Sequence, residues 1–437
     1  MSTITSFPPL FGPNRALRLP PIEAVDFTAS DGTALRLHHA PGGPRGPVLL
    51  APGTAMSGLS LCLDTVPESL TEFLHAQGFD VWLLDWRASP QLPAHRHPYT
   101  LADVAAYDWP AAVASVRQRT AADSIGVLAH CLSAPALLLS LLRGHLPTAQ
   151  LRSIVLSQAA LHLIQPALAR LKTQSHLDGL LPEQQLIHLV PDAVTLHAAD
   201  VAITALALLQ PGRCDSGACR RQSATFGGLL QHDQVNEATH ALMGALIPEV
   251  SAGFLRDVAE RAREGSVLDE QDARHLARLR LPITLLSGEH NQTFLPAATE
   301  ASYRLLCAAN GPELYHRHVL AGYGHLDCLI GQRAHAVLRP FEQRRAAGAL
   351  RHRRAVVEHD HVVRARRQER AAAELRPADQ EHQQQHRQRA QQQHQPLLHA
   401  QPLAVALHRR EQELLRRQRH HLEAAPIEQM DQDRHCR

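Results

Sequence analysis

A cysteine stands where a predicted strand passes into a predicted helix, in residues 127–134 (VLAHCLSA). The run fits a nucleophile elbow, in which small residues two positions before and after the nucleophile let the backbone pass close to itself. Ala129 and Ser133 are those small residues, and Cys131 takes the place usually held by serine. A buried structural cysteine is the alternative interpretation. Nucleophilic chemistry therefore requires a base, a group that orients it and oxyanion donors elsewhere in the chain.

The candidate base is His325, in the glycine-rich residues 321–327 (AGYGHLD). The loop follows a predicted strand, and in hydrolases with such an elbow the histidine comes last in the chain. The chain has 30 histidines, so the position of His325 is more informative than its identity.

Two residues are candidates for orienting this base, both in residues 285–291 (LLSGEHN). Asn291 occupies the position that often carries aspartate, and Glu289 lies two residues earlier. An asparagine carbonyl can accept the imidazole N–H and fix its tautomer, as in Cys-His-Asn sites. The sequence favours Asn291 and leaves Glu289 as the alternative.

Two backbone amides are expected to form the oxyanion hole. One is that of Leu132, which follows the nucleophile. The other belongs to Thr54 or Ala55, in the turn that follows a predicted buried strand at 47–51 (PVLLA). Gly53 would permit the tight turn there.

The elements that must position these residues alternate between strands and helices. This alternation predicts an α/β fold, with a mostly parallel sheet covered by helices on both faces. Strands are predicted at 23–28, 34–39, 47–51, 80–85, 124–128, 151–157, 282–287 and 314–320, and helices near 65–77, 101–119, from 135, 296–310 and 331–344.

Two segments depart from this alternation. Residues of about 160–280 are rich in leucine and alanine and predict a helical cap insertion within an α/β domain of residues 1–345. Residues 346–437 are rich in Arg, Gln and His and, after Gly348, contain no glycine, phenylalanine, tyrosine or tryptophan. We expect this tail to be disordered and non-catalytic, because it offers little apolar surface to offset its ordering entropy.

Composition limits the partners and the compartment. The 437-residue chain has a formal net charge of +2, which predicts no nucleic-acid partner. It shows no signal-peptide pattern and no apolar run of bilayer-spanning length, so we expect a cytoplasmic protein without a membrane span. Cys214 and Cys219, near His232 and His240, raise the question of zinc. Their four-residue gap is longer than the usual two or three, so we expect an incidental cysteine pair, no metal and no cofactor.

Several segments together resemble a known family. They lie within about 48–340 and are 64–70 (DTVPESL), 78–89 (GFDVWLLDWRAS), 129–131 (AHC), 213–216 (RCDS), 231–236 (QHDQVN), 287–289 (SGE) and 322–328 (GYGHLDC). They are similar to the α/β-hydrolase module that accompanies, or is fused to, cholesterol-oxidase-like flavin oxidoreductases of the glucose–methanol–choline type, a module that is itself acid-lipase-like.

The resemblance implies an α/β-hydrolase fold with a helical cap and ester-directed chemistry. It puts Cys131 at the nucleophile position and His325 at the base position, and it implies a flavin-dependent oxidoreductase as a partner. Two residues depart from the family pattern. Pro52 replaces the histidine of a His-Gly oxyanion loop, and Ser133 replaces the glycine that usually ends the elbow.

The sequence thus predicts hydrolysis of a carboxylic or thio ester with an apolar acyl or sterol-like group, in which Cys131 gives its proton to His325 and forms an acyl-enzyme. Two alternatives remain. One is a polyhydroxyalkanoate-synthase-like acyltransferase, although such an enzyme would normally carry aspartate where Asn291 stands. The other is a catalytically inactive α/β-hydrolase scaffold that binds lipid or an oxidoreductase partner.

Overall fold

The structure is a computed structural model that describes residues 2–4, 14–180, 182–190, 198–209 and 214–335. In these residues the strands are β1 (Ser2–Ile4), β2 (Ile22–Thr28), β3 (Ala34–Ala40), β4 (Pro47–Ala51), β5 (Asp80–Asp85), β6 (Ile125–His130), β7 (Leu151–Ser157), β8 (Leu186–His188), β9 (Glu249–Ser251), β10 (Ile283–Gly288) and β11 (Tyr315–Leu320).

The α-helices lie between these strands and include one long interrupted helix, in which a π-helical turn at Val104–Asp108 joins α2 to α3. Over the described residues they are α1 (Leu70–Ala76), α2 (Leu101–Asp103), α3 (Trp109–Thr120), α4 (Ser133–Leu142), α5 (Ala167–Gln174), α6 (Ala198–Leu209), α7 (Gly217–Phe226), α8 (Glu237–Ala241), α9 (Met243–Leu246), α10 (Ala252–Glu264), α11 (Glu270–Arg274), α12 (Pro296–Asn310) and α13 (Asp327–Ile330).

Nine strands of the described residues form one sheet, in the order β1-β2-β3-β5-β4-β6-β7-β10-β11. Pairing is parallel from β5 through to β11 and antiparallel among β1, β2, β3 and β5. This mostly parallel sheet with its crossover helices is an α/β-hydrolase fold, which confirms the predicted fold class. Because β4, β6 and β7 are adjacent and parallel, the loops at their carboxyl ends meet at one edge of the sheet.

The centre of the sheet is apolar on both faces. Every residue of β6 is buried, and so is every residue of α4, the helix that follows it. A strand buried on both faces reads as a continuous apolar run, which explains why the sequence pattern located it well. The loop between β6 and α4 is therefore held at both ends by packed elements.

Helix α1 is shorter than predicted, and its cap explains the difference. The prediction of a helix near 65–77 is wrong at its first turn, because the helix begins at Leu70. The side chain of Ser69 accepts from the backbone N–H of Glu72, and the side chain of Glu72 accepts from the backbone N–H of Ser69. This reciprocal capping box satisfies N–H groups at the helix start and fixes the boundary there.

The segment between β7 and β10, which we call the insertion, is mainly helical and contains α5 to α11. The sequence did not predict β8 and β9, two three-residue strands that pair antiparallel within it. Such short strands leave little periodic signal. No helix among the described residues is long and apolar enough to cross a bilayer. Most of the helix predicted at 331–344 and the whole tail at 346–437 lie outside the described residues.

Candidate active site

Cys131 occupies a sharp turn between β6 and α4 and has a φ of +56°. Non-glycine residues rarely adopt this left-handed conformation, and strained backbone of this kind concentrates at functional sites. The turn is fixed from both sides: the N–H of Cys131 donates to the carbonyl of Ser157 at 2.9 Å, and the carbonyl of Cys131 accepts from the N–H of Ala134 at 3.2 Å. Cys131 therefore has the backbone of a nucleophile elbow.

The elbow accommodates serine where the resembling family has glycine. Ser133 is the first residue of α4, and its hydroxyl donates to the carbonyl of His130 at 2.8 Å and accepts from the N–H of the same residue at 3.1 Å. Its own carbonyl accepts from the indole N–H of Trp109 at 2.9 Å. The Ser133 side chain thus ties the turn together.

The loop after β4 lies directly against the elbow. A Cβ atom added to Gly53 would be 3.1 Å from Cβ of Cys131 and 3.2 Å from Cδ2 of His130, so a side chain there would crowd the elbow and glycine favours this close approach. Pro52 keeps the loop in place through its carbonyl, which accepts from the indole N–H of Trp86 at 3.2 Å. Trp86 therefore anchors this loop.

Hydrogen bonding by the backbone amides of Leu132 and Thr54 lowers the pKa of the Cys131 thiol. Ala55, the other candidate in that loop, follows in a left-handed conformation with a φ of +63°. Burial nevertheless raises the pKa of the Cys131 thiol to about 12, because desolvation of a thiolate outweighs the two amides. The thiol is therefore neutral near pH 7.

His325 is buried beside the elbow and contacts one of its two candidate partners. Its Nδ1 lies 3.2 Å from Oδ1 of Asn291. That oxygen also accepts from the amides of Thr293 at 2.9 Å and Phe294 at 3.2 Å, which identifies it as the carbonyl oxygen of the side chain. Nδ1 must then carry the imidazole proton, which leaves Nε2 as the basic nitrogen.

Gln158 holds Asn291 in turn and was not predicted as a site residue. It follows β7 with a φ of +56°, and its Oε1 accepts from Nδ2 of Asn291 and from the N–H of Gly288, both at 2.8 Å. The left-handed backbone of Gln158 is the feature that draws attention to this residue in the structure. No residue pattern in the sequence predicts that conformation.

Glu289 lies apart from this network. Its carboxylate is exposed and accepts from the N–H of Gly322 at 3.0 Å, and the contact that His325 makes is with Asn291. Beyond the end of a strand, the direction in which each side chain points depends on the conformation of the loop. The spacing of residues in the sequence does not determine that direction.

A second histidine, His130, lies next to His325 and was also missed as a site residue. Their ring centroids are 4.8 Å apart. His130 contacts the hydroxyl of Ser157 through Nδ1 at 3.1 Å, and its buried Nε2 has no hydrogen-bond partner within the described residues. Burial lowers the pKa of His130 to about 3, and burial together with His130 lowers the pKa of His325 well below its usual value. Both rings are neutral near pH 7.

A cavity of about 240 Å³ opens onto these residues. Cys131, His325 and Thr54 lie on its sheet side, and the insertion supplies mostly apolar walls. Those walls include Ile187, Ile203, Leu206, Ile247, Leu255 and Val258. Lys172, the sole lysine of the chain, also lines it and donates from Nζ to the carbonyls of Ala224 and Thr225. Burial lowers the pKa of Lys172 to about 8.

The elbow, the adjacent loop and the histidine after the last strand are arranged as in the α/β-hydrolase fold. No protein-family model and no curated protein matches the chain. Among solved structures, an esterase (EaEST) from Exiguobacterium antarcticum is 15% identical, with 73% of this chain and 98% of that one covered and a TM-score of 0.47.

Two further esterases match to the same degree. One is RhEst1 from Rhodococcus sp. ECU1013, at 16% identity, 73% and 98% coverage and a TM-score of 0.46. The other is a thermophilic esterase from Thermogutta terrifontis, at 15% identity, 74% and 98% coverage and a TM-score of 0.47. At such identities the functions of these proteins do not transfer, so the fold assignment rests on the strand order and the elbow.

Proposed function

We propose that the protein hydrolyses carboxylic or thio esters through an acyl-enzyme on Cys131. One observation carries the proposal: Cys131 is held in a left-handed strand-to-helix turn, where hydrogen bonding by the backbone amides of Leu132 and Thr54 lowers the pKa of its thiol. Two amides near a nucleophilic atom are the arrangement that stabilises the oxyanion formed when this atom attacks a carbonyl carbon. A purely structural cysteine needs neither the strained turn nor the two donors.

The first half of the reaction starts from a neutral thiol and a neutral imidazole. His325 takes the thiol proton on Nε2 while the sulfur forms its bond to the carbonyl carbon, and the carbonyl π electrons move onto oxygen beside the amides of Leu132 and Thr54. The tetrahedral intermediate then collapses, the bond to the leaving group breaks, and His325 protonates the departing alcohol or thiol. The product of this step is a thioester on Cys131.

The second half repeats the cycle with water. His325 removes a proton from water as its oxygen attacks the acyl carbon, and the collapse of the second intermediate releases the acid and returns the proton to Cys131. Asn291 acts as a positioning residue, because its carbonyl keeps the proton of His325 on Nδ1. Glu289 has no part in this scheme.

The cavity supports an apolar acyl group as the substrate portion that is bound. The catalytic residues lie at its sheet side, while the aliphatic walls of the insertion extend away from them. Burial of a methylene group in such a cavity contributes about 0.8 kcal/mol. We therefore expect kcat/KM to rise with acyl chain length until the cavity is filled.

The direct test compares Cys131→Ala with the wild type on a panel of short and medium acyl esters and acyl thioesters. We expect hydrolysis to fall by at least about 10³-fold, because the nucleophile is lost while binding remains. Cys307→Ala is the matched control, since Cys307 is another half-buried free thiol and lies on α12. Turnover by Cys131→Ala at the wild-type rate would overturn the proposal.

The same panel separates the two alternatives. Hydroxyacyl thioesters that yield polymer instead of free acid would identify an acyltransferase. A wild-type protein that turns over no ester or thioester and gains no acyl group on Cys131 from an acyl thioester would identify an inactive scaffold. Either result would contradict ester hydrolysis at Cys131.

A further inference from the structure

Two cysteines and two histidines of the insertion meet in space, although the sequence spacing argued against it. Cys214, Cys219, His232 and His240 each offer one ligand atom, and all four atoms lie within 4.8 Å of one another. We call these residues the Cys2His2 cluster. Sulfur of Cys214 lies 3.2 Å from Nε2 of His240, and sulfur of Cys219 lies 3.5 Å from Nε2 of His232.

We propose that the Cys2His2 cluster binds one Zn²⁺ ion in a tetrahedral site that braces the insertion segment packed against the histidine loop. Zinc in proteins is bound at about 2.3 Å by thiolates and about 2.0–2.1 Å by imidazoles, which places neighbouring ligand atoms of a tetrahedron roughly 3.3–3.8 Å apart. The two sulfur–nitrogen distances given above, 3.2 and 3.5 Å, are close to this spacing. Two sulfurs with two nitrogens around a single centre is the ligand set that selects zinc.

Local structure explains why a four-residue gap between the cysteines suffices. Cys214 precedes α7, and Cys219 lies in its first turn, where its N–H donates to the side chain of Ser216, the N-cap. The N-cap Ser216 therefore lies between the two cysteines, whose sulfurs are among the four ligand atoms within 4.8 Å of one another. The four-residue gap led us to expect an incidental cysteine pair without metal, and the convergence of the four ligand atoms is why we propose a metal site instead.

The histidines approach from two further elements. His232 lies in a short 3₁₀ turn, and His240 lies in the last turn of α8. Helix α8 is fixed at its start by Asn236, whose Nδ2 also donates to the carbonyl of Thr65 at 2.6 Å. The two rings lie 5.0 Å apart and are tilted by 59°, so each can direct a nitrogen toward a common centre.

The chain between Cys219 and His240 contacts the loop that carries His325. The carbonyl of Leu229 accepts from the N–H of His325 at 3.2 Å and from that of Leu326 at 2.8 Å. The N–H of Gln231 donates to the carboxylate of Asp327 at 3.0 Å. A metal ion that joins both ends of this segment would therefore restrict the backbone that supports His325.

The binding of Zn²⁺ to the Cys2His2 cluster can be written with all charges and protons accounted for. Zn²⁺ displaces one proton from each of the two thiols, the imidazoles bind in their neutral form, and the resulting centre has no net charge. Binding therefore releases two protons and is favoured by rising pH. The proposal is independent of the role of Cys131.

The experiment uses the full-length, untagged protein, purified in a phosphine reductant and dialysed against metal-free buffer. We expect elemental analysis to find one zinc per chain in the wild type. Cys214→Ser and His240→Ala should retain less than a tenth of this amount, whereas the controls Cys307→Ser and His97→Gln should retain all of it. Wild-type protein without zinc, or Cys214→Ser with full zinc, would overturn the proposal.

Cobalt provides a readout that needs no variant to fold. Wild-type protein stripped with a chelator and titrated with Co²⁺ should develop intense visible bands of tetrahedral cobalt and a thiolate-to-cobalt charge-transfer band, saturating at one ion per chain. Added Zn²⁺ should bleach both. The charge-transfer band shows that a thiolate is a ligand, and Cys436→Ser, which removes the one thiol of the tail, should leave that band unchanged. A histidine-only spectrum, or a disulfide between Cys214 and Cys219 that persists in reductant, would refute the site.

Zinc removal should also lower the melting temperature of the wild type, and added Zn²⁺ should restore it, because an ion that binds the folded state alone stabilises it by mass action. The same treatment should leave the melting temperature of Cys214→Ser unchanged. Equal shifts in both proteins would show that zinc acts elsewhere.

Discussion

Cysteine and histidine side chains lie close together at two sites among the described residues, and different groups surround the sulfur atoms at each site. At Cys131 one thiol faces two backbone amides and lies in an apolar cavity beside His325. In the Cys2His2 cluster two thiols face two imidazoles, with ligand atoms within 4.8 Å of one another. The same residue types therefore favour different chemistry: amides around one sulfur stabilise an oxyanion, whereas four converging ligand atoms favour a cation.

The comparison predicts that damage to the catalytic residues leaves zinc binding intact, because none of them is a ligand of the Cys2His2 cluster. The largest effect is expected from His325→Ala, which should lower kcat for ester hydrolysis by about 10²–10⁴-fold, because the thiol loses the base that accepts its proton. Steady-state kinetics measures this effect, and zinc content should stay at one per chain. A variant that loses zinc together with activity would show that the two places are not independent.

Asn291→Leu should lower kcat by about 10²-fold, because an imidazole without its orienting acceptor samples the wrong tautomer and direction. The companion variant Asn291→Asp tests the electrostatics. A carboxylate beside Nδ1 favours the imidazolium, so the acid limb of the kcat/KM profile should move to higher pH. Wild-type kinetics in both variants would remove Asn291 from the site.

The pH profile of the wild type follows from the two neutral groups. Burial lowers the pKa of His325 well below 6.5. As the pH is lowered, kcat/KM should therefore stay constant through pH 6.5 and decline only at pH values well below it. Because the pKa of the Cys131 thiol is raised to about 12, alkylation by iodoacetamide should be slow near pH 7 and accelerate as pH rises. A thiol alkylated rapidly at pH 6 would contradict the neutral pair.

Acid stability depends on His130. Its folded-state pKa of about 3 lies below the ordinary value of 6.5, so the unfolded chain binds more protons between these values. The contribution of His130 to stability is therefore complete above pH 6.5 and is lost as pH falls toward 3. The melting temperature of His130→Gln should fall less over this window than that of the wild type, while the exposed His97→Gln should follow the wild type. Parallel curves for His130→Gln and the wild type would show that His130 is not buried as a neutral ring.

Glu289→Gln should show the smallest effect, with kcat and KM within about twofold of the wild type, because surface substitutions away from a site change little. Glu289 accepts from Gly322 at the surface, whereas Asn291 contacts His325. Steady-state kinetics on the same ester panel decides between the two residues. A loss of activity comparable to that of Asn291→Leu would restore Glu289 as the orienting residue.

The sequence predicts strands and helices that are buried in the core better than it predicts residues that loops bring together. The buried residues of β6 and the positions of β7 and α12 could be predicted from the apolar pattern of the sequence. The candidate nucleophile and base could be chosen because the histidine follows the nucleophile in the chain. Ser133 was a departure from the family pattern, and its hydroxyl proves to bond the elbow backbone. A side-chain hydrogen bond of this kind leaves no periodic signal.

The parts of the two sites that could not be predicted from the sequence depend on contacts between segments that are distant in the chain. Gln158 is 133 residues from Asn291, and Cys214 is 26 residues from His240. Gln158 has a left-handed backbone, and Cys214 and Cys219 lie on either side of the N-cap of α7. Both arrangements arise from turns whose geometry the tertiary structure selects.

The central claim is a covalent acyl group on Cys131. Wild-type protein mixed with a medium-chain acyl thioester and quenched in acid within the first turnover should gain the mass of one acyl group. Peptide mapping should locate that group on Cys131, and Cys131→Ala should gain none. An acyl group on another residue, or hydrolysis by Cys131→Ala at the wild-type rate, would contradict the account.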